Sequence, residues 1–514
     1  MEKPKECLAF LGGPSMIVLK EMDILKAKAE FDDMMVMIEK AAHEGTRIDL
    51  VEQDLWDRLL RLGLIALGGF VHAQGTGDLG PTFEHEGQPL KRLEDLYVRR
   101  YVSIFGELLI QRTAYGTRPT QKLEVLPLDA RLGLPASDFS HLLQNWDQSF
   151  CVQNSYDPSR QSIQRILGLG QTVGSLETMS QSMAQDVPGF FEQQPAPPSA
   201  PAGSIVVLTA DHKGVRMRRH AQEDGPAPSG RLKKGQKASK KKMACVGGVY
   251  TTAPFVRTAQ DVVNEVLRHE KQTQRPKPQN KRLRAELTQR FEGEEIKGTE
   301  VIFPWFEQEV TKRNPEGCHP VVCVMDGERK LWQILKSMFP SVVCILDLYH
   351  VLERLWSIAY CFYVEGSDEA QTFVTTRLER LLEGQVGYVI GGIKQMGVKN
   401  KLSKKRRETL DAAITYLENN RRFMNYDVYL SAGYPIGSGV VEGACRHVVK
   451  DRMEQTGMRW RIPGAQAILH LRALYLNGDW EVFQEYRIEQ QCQTLYPYAD
   501  SVEAKWPECA GKAA

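Results

Sequence analysis

Apolar residues return every three or four positions through IDLVEQDLWDRLLRLGLIAL (48–67), which predicts an amphipathic helix. RRYVSIFGELLIQRTAYG (99–116) reads as two short strands that turn at Phe105-Gly106. SDFSHLLQNW and SRQSIQRILGLGQTVGSLETMSQSM return to helical spacing. The second of these divides into 159–167 and 173–183 around a glycine turn, the outline of a helix-turn-helix with Gln171, Thr172 and Ser175 near the start of its second helix. The same outline serves equally as a plain packing unit of two helices. QQPAPPSAPAG (193–203) then breaks all periodicity with proline and small residues, and predicts a linker.

Beyond the linker the pattern changes to α/β. SIVVLTAD, PVVCVMD and SVVCILD are compact β-branched runs, each ending in an aspartate: Asp211, Asp326 and Asp347. Runs this apolar suit strands buried on both faces, as in a largely parallel sheet covered by helices. Ligands of such sheets bind beyond the carboxyl ends of the strands, where these aspartates fall. Asp326 and Asp347 each precede a helical pattern, so N-capping explains them without any chemistry. A further strand and a turn follow Asp211, and capping does not explain that residue.

GYPIGSGVVEGACRHVVKDRMEQTGMRW (433–460) has the glycines of a phosphate cradle but the wrong spacing for a dinucleotide fingerprint, and Glu442 would repel a pyrophosphate. It reads better as a helix capped by Ser438. Val440, Val441, Ala444, Cys445, Val448 and Val449 form its apolar face, with Glu442, Arg446, His447 and Lys450 on or beside the other. A first-turn acid is also what the helix dipole favours, and Glu442 can pair with Arg446.

Asp211, Asp326 and Glu442 make a hard, all-oxygen set suited to Mg²⁺ or Mn²⁺ rather than zinc. Two such ions about 3.5–4 Å apart clamp the attacking and leaving oxygens of an in-line phosphoryl displacement. The acids are 115 and 116 residues apart, so only the fold can gather them. Between the two aspartates competing as second ligand, Gly327 suggests open space beside Asp326, whereas bulky Leu348 and Tyr349 follow Asp347.

Totals say little about partners, because the net charge is only +2. Locally, residues 213–242 hold eleven Lys or Arg against two acids, and RPKPQNKRLR (275–284) is a second basic stretch. The first run, with Lys213, Arg216, Arg218 and Arg219, begins two residues after Asp211, which points to phosphate-backbone contact beside a phosphodiester-cutting site. Arg446, His447 and Lys450 are placed to steer DNA toward the acids. The ten cysteines contain no Cys-x-x-Cys pair, which argues against a zinc ribbon or a disulfide framework and suits a reducing cytoplasm. The apolar patch CLAFLGGPSMIVL is too short to span a bilayer, so no membrane partner is expected.

TADHKGV, VMDGERKLW, LDLYHVLERLW and GSGVVEGACRHVVKDRMEQTGMRW, taken together, resemble a bacterial insertion-sequence transposase of the DDE type, most similar to the ISKra group. FGELLIQRTAYG, PLDARLGLP and ILGL…VGSLETM resemble that group's upstream region. The resemblance implies an α/β protein with a ribonuclease-H-like catalytic domain over 204–476. It also implies an α-helical insertion at about 355–430, a mainly helical DNA-end-binding region over 1–192 and a tail over 477–514. It places the catalytic, metal-holding acids on Asp211, Asp326 and Glu442, and gives Asp347 and His350 of the Asp-x-x-His element a supporting role. Relatives carry paired cysteines in the upstream β-region that residues 99–116 lack, so zinc-dependent end recognition is not expected here. The implied activity is Mg²⁺-dependent cleavage at the element's terminal repeats and joining of the 3′-hydroxyl ends to target DNA. The partners would be double-stranded DNA and further copies of the chain, as a homodimer or higher oligomer. A DNA-binding protein without catalysis, and a metal-dependent nuclease without strand transfer, are the alternatives.

Overall fold

The computed structural model describes residues 17–18, 24–117, 124–218, 241–267, 275–291 and 294–506. The chain divides into two compact units, one of Met1–Phe190 with Trp480–Ala514, the other of Phe191–Asp479.

In the first unit the predicted helix at 48–67 extends over Ile48–Ala73 and packs against Ile24–Glu44. The expected hairpin forms from Tyr97–Ser103 and Gly106–Arg112 in antiparallel register, with Ser103 opposite Gly106. Gly106 has φ +140°, and a Cβ there would lie 2.9 Å from Leu64, so glycine answers both the turn and the close approach of the neighbouring helix. Three helices follow, each with a local reason for its ends. Ser140 caps His141–Cys151, Gly168 in the left-handed region closes Tyr156–Leu167, and Thr172 caps Val173–Met183. Gln171, just before the second helix of the helix-turn-helix outline, is buried and donates to Asp147 Oδ2 at 2.8 Å. The helices Trp480–Leu495 and Ala499–Lys505 fold into this unit, where Trp480 Nε1 donates to Asn145 Oδ1 and Arg131 pairs with Glu503.

The second unit is built on a five-stranded mixed sheet. Its strands are β1 (Ile205–Arg216), β2 (Lys241–Thr252), β3 (Gln279–Leu287), β4 (Val321–Met325) and β5 (Val343–Leu346), in the order β5-β4-β1-β2-β3. The three aspartate-terminated runs are mutually parallel, as their apolar character suggested, whereas β2 and β3 run antiparallel. One expectation is corrected. β1 does not stop at Asp211 but continues to Arg216, because β2 pairs with it along its whole length while β4 ends opposite Ala210. Gly247 on β2 admits the helix Gly298–Arg313, since a Cβ there would lie 2.6 Å from Ile302.

Between β5 and the helix bearing Glu442 lie Leu348–Phe362, Asp368–Leu382, Val386–Lys399, Lys404–Asn420 and Tyr426–Ser431, whose apolar faces join the core of the sheet. β5 is an edge strand, and its outward carbonyls need partners. Tyr429 Oη donates to Cys344 O at 3.1 Å and Tyr426 Oη to Leu346 O at 2.9 Å. Tyr416 Oη donates to the carbonyl of Asp326 at 2.6 Å.

Candidate active site

The strand register assembles the aspartates. Met325 lies opposite Ala210 on one side and Leu346 on the other, so Asp211, Asp326 and Asp347 follow at the next position on three adjacent parallel chains. Neighbouring strands are about 4.8 Å apart, which brings residues remote in sequence into one row. Asp211 is half-buried; its Oδ1 accepts from the N–H of His212 at 2.6 Å and its Oδ2 from the Cys445 thiol at 3.3 Å. Asp326, also half-buried, accepts from the N–H of Glu328 at 2.9 Å. It does not cap the following helix, whose N-cap is Glu328. Burial, with the Asp211 charge added to it, raises the Asp326 carboxyl above its ordinary range.

Asp347 is fully buried and both its oxygens are engaged. Oδ1 accepts from the N–H groups of Tyr349 and Ser438, each at 3.1 Å, and Oδ2 from the Ser438 hydroxyl at 2.6 Å. The capping role expected of Asp347 is therefore present. Ser438 stands at the N-cap of its helix but makes no side-chain bond to a backbone N–H; its hydroxyl donates to Asp347 and lies 3.4 Å from Glu442 Oε1.

Glu442 stands on the short helix Gly439–Ala444, with the buried and exposed faces that the sequence pattern gave. Ligating atoms of Glu442, Asp347 and His350 all lie within 4.8 Å of one another. Burial first, and then the shared proton and repulsion of Asp347, push Glu442 up to about 7, while His350 opposes the shift. His350 Nε2 stands 3.8 Å from Asp347 Oδ2. Past Ala444 the backbone enters a π-helical turn, Cys445–Lys450, of the kind common at functional sites. It carries Cys445 to Asp211 and leaves Arg446, His447 and Lys450 exposed. Arg446 and His447 both turn to Asp451, at 3.6 and 2.8 Å.

Of the other expected DNA contacts, Lys213 is half-buried, and Arg216 and Arg218 are exposed where β1 ends in a backbone bridge to Trp460. Arg219 and most of the first basic run lie outside the described residues. Gly327 does not leave open space beside Asp326. At φ +93° it is closed in by Asn420 and Leu346, both 2.9 Å from where a Cβ would stand.

Sequence reasoning missed His212 and Glu328, whose side chains meet at 2.7 Å and join the segments after Asp211 and Asp326. That hydrogen bond raises the imidazole and lowers the carboxyl. Their only signal in the sequence was proximity, one and two residues beyond the predicted acids.

The donor set fits divalent cations. Among the described residues the group whose ligating atoms converge closely enough for one ion is Asp347, His350 and Glu442; Asp211 and Asp326, at the neighbouring strand ends, are not in it. Asp211 accepts one hydrogen bond on each oxygen, Asp326 accepts one on Oδ1, and Asp347 accepts three in all.

No family model matches the chain, and no curated protein matches its sequence. Among the described residues no helix is long and apolar enough to cross a membrane.

Proposed function

We propose that the chain is a DDE-type DNA transposase and that the unit from 191 to 479 is its ribonuclease-H-like catalytic domain. The observation that carries this reading is the pairing of Asp211 and Asp326 at the ends of adjacent parallel strands of a β5-β4-β1-β2-β3 sheet; Asp347 follows on the next strand, and Glu442 converges on Asp347 and His350. The helices between β5 and Glu442 correspond on this reading to the α-helical insertion.

Asp211, Asp326 and Glu442 would hold Mg²⁺ or Mn²⁺, which supplies charge stabilisation to both oxygens of an in-line phosphoryl displacement. The chain's own residues do the positioning. Asp347 fixes the loop before Glu442 through Ser438, Tyr416 anchors the Asp326 backbone, and Cys445 orients one oxygen of Asp211. His350 supports the site from beside Asp347 and Glu442, with ligating atoms of all three within 4.8 Å of one another. Exposed Arg216, Arg218 and Lys450, with half-buried Lys213, meet the phosphate backbone. Binding of the element's ends belongs to the N-terminal region, and the active form is a dimer or higher oligomer on DNA in the cytoplasm.

The test is cleavage of a supercoiled plasmid carrying the DNA that flanks the gene, by the full chain with Mg²⁺ or Mn²⁺. Cleavage followed by joining to a target plasmid is expected, and Asp211→Asn, Asp326→Asn and Glu442→Gln should each abolish both. Cleavage without joining would make the protein a nuclease. Binding without cleavage would make it a DNA-binding protein on this scaffold.

A further inference from the structure

Against the loop that leads to Glu442 lies a cavity of about 290 Å³, walled by Phe255, Tyr349, Pro276 and Pro435 with Arg257 and Arg275 among its lining. Its walls are mainly apolar, yet the Arg257 side chain within them is only 4% exposed. Nη2 of Arg257 donates to Tyr434 O at 3.2 Å, and Nη1 stands 4.0 Å from Glu265. Its Nε has no hydrogen-bond partner among the described residues. Burial, together with the Arg275 charge, lowers its pKa to about 10. A buried guanidinium with an unused N–H costs stability unless a ligand completes it.

Two glycines shape the space. A Cβ on Gly437 would come within 2.9 Å of the Tyr349 ring, so glycine lets that ring lie against the loop. A Cβ on Gly439 would meet nothing within 4 Å, and that residue lines the cavity three positions before Glu442. Tyr349 lines the cavity while its N–H donates to Asp347 at 3.1 Å, so cavity and acids share a border.

We propose that this cavity receives one unstacked guanine base of the DNA strand whose phosphodiester lies at the carboxylates. The proposal rests on the DNA-cleaving reading above. Aromatic rings hold a base by stacking without regard to its identity. An arginine adds identity, because guanine alone presents two acceptors, O6 and N7, on one edge. Lys277 and Arg275 line the same cavity and suit the flanking phosphates. A bare phosphate would leave the aromatic and proline walls unused.

The test measures binding of the full chain, without divalent metal, to fluorescent single strands of thymine carrying one central guanine or one adenine. The guanine strand should bind roughly tenfold tighter or more. Gly439→Leu, whose Cβ would meet nothing within 4 Å and whose branch would occupy the cavity, should erase that preference while charge-driven binding to the thymine strand persists. Arg257→Lys should do the same, and circular dichroism checks its folding. Equal binding of both strands by the wild type, or a preference that survives Gly439→Leu, overturns the proposal. If plasmid cleavage still occurs, the functional reading stands and only the base pocket falls. If no strand binds and no plasmid is cut, both fall together. Free guanosine monophosphate distinguishes the source of the base. Arg257-dependent thermal protection by it, with no strand preference, would assign the cavity to a soluble nucleotide and overturn the strand assignment.

Discussion

Ser438 gives both its hydroxyl and its backbone N–H to the carboxylate of Asp347, at 2.6 and 3.1 Å. This pair ties the end of β5 to the loop that presents Glu442, across 91 residues of chain. Ser438→Ala leaves a buried carboxylate oxygen short of a donor and should destabilise the protein by about 1–3 kcal/mol. Ser438→Thr keeps the hydroxyl and should lose less. Urea denaturation of the two variants separates the lost hydrogen bond from a general intolerance at the position.

The two competing aspartates should respond differently to amidation. Asp326→Asn removes a carboxylate with an oxygen to offer, and should be inactive with Mg²⁺ and with Mn²⁺. Asp347→Asn retains an oxygen for the N–H groups of Tyr349 and Ser438, and its amide can donate to the Ser438 hydroxyl. It should keep measurable plasmid cleavage. An active Asp326→Asn beside a dead Asp347→Asn would reverse the assignment.

Asp147 offers a pH test away from the site. It is fully buried with one oxygen unpartnered, and burial pushes its carboxyl up to about 7 against the pull of Gln171. A raised carboxyl favours the neutral form in the folded state. The stability it contributes is complete below its unfolded value of 3.8 and is lost as pH rises through about 7. Asp147→Asn should therefore stabilise the protein at pH 8, by about 4 kcal/mol, and change little at acidic pH. Thermal melting of both proteins across this window gives the answer, and parallel curves at every pH would refute the buried charge.

Gly327→Ala forces a side chain into a left-handed position already closed by Asn420 and Leu346. A loss of about 1–3 kcal/mol is expected from the backbone alone, with cleavage impaired because Asp326 is the adjacent residue. Were Gly327 instead beside open space, alanine would leave folding nearly unchanged. Chemical denaturation compared with wild type decides between these.

Charge-driven DNA binding should weaken with salt in proportion to the phosphates met. Replacing Lys213, Arg216 or Lys450 by Gln should each flatten the slope of log K against log salt by about 0.9. Binding measured across a salt series reads this directly, and an unchanged slope removes that residue from the DNA contact.

Much of this architecture was legible in the sequence because buried strands and amphipathic helices follow from side-chain periodicity. The three aspartate-terminated runs became neighbouring parallel strands, and the faces of the helix around Glu442 were right. Periodicity carries no information about pairing across long separations. It therefore missed that β1 runs past Asp211 beside antiparallel β2, that His212 meets Glu328, and that Gln171 turns inward to Asp147. Gly327 misled for a related reason. A glycine marks either empty space or a crowded backbone, and only the neighbours, here from 19 and 93 residues away, tell which.

The π-helical turn at Cys445–Lys450 also bears on how this segment can vary over evolutionary time. A π turn accommodates a residue that an α-helix has no room for. Removing a single codon within it would restore regular α geometry and rotate everything on one side by about 100° relative to the other. Glu442 and the buried pair Val448 and Val449 could not then both keep their present directions. Point changes on the exposed face, at Arg446, His447 or Lys450, leave that geometry intact. The length of the segment is thus under tighter constraint than its spelling, and descendants of this chain should differ there by substitution, with single-residue gaps confined to copies that no longer function.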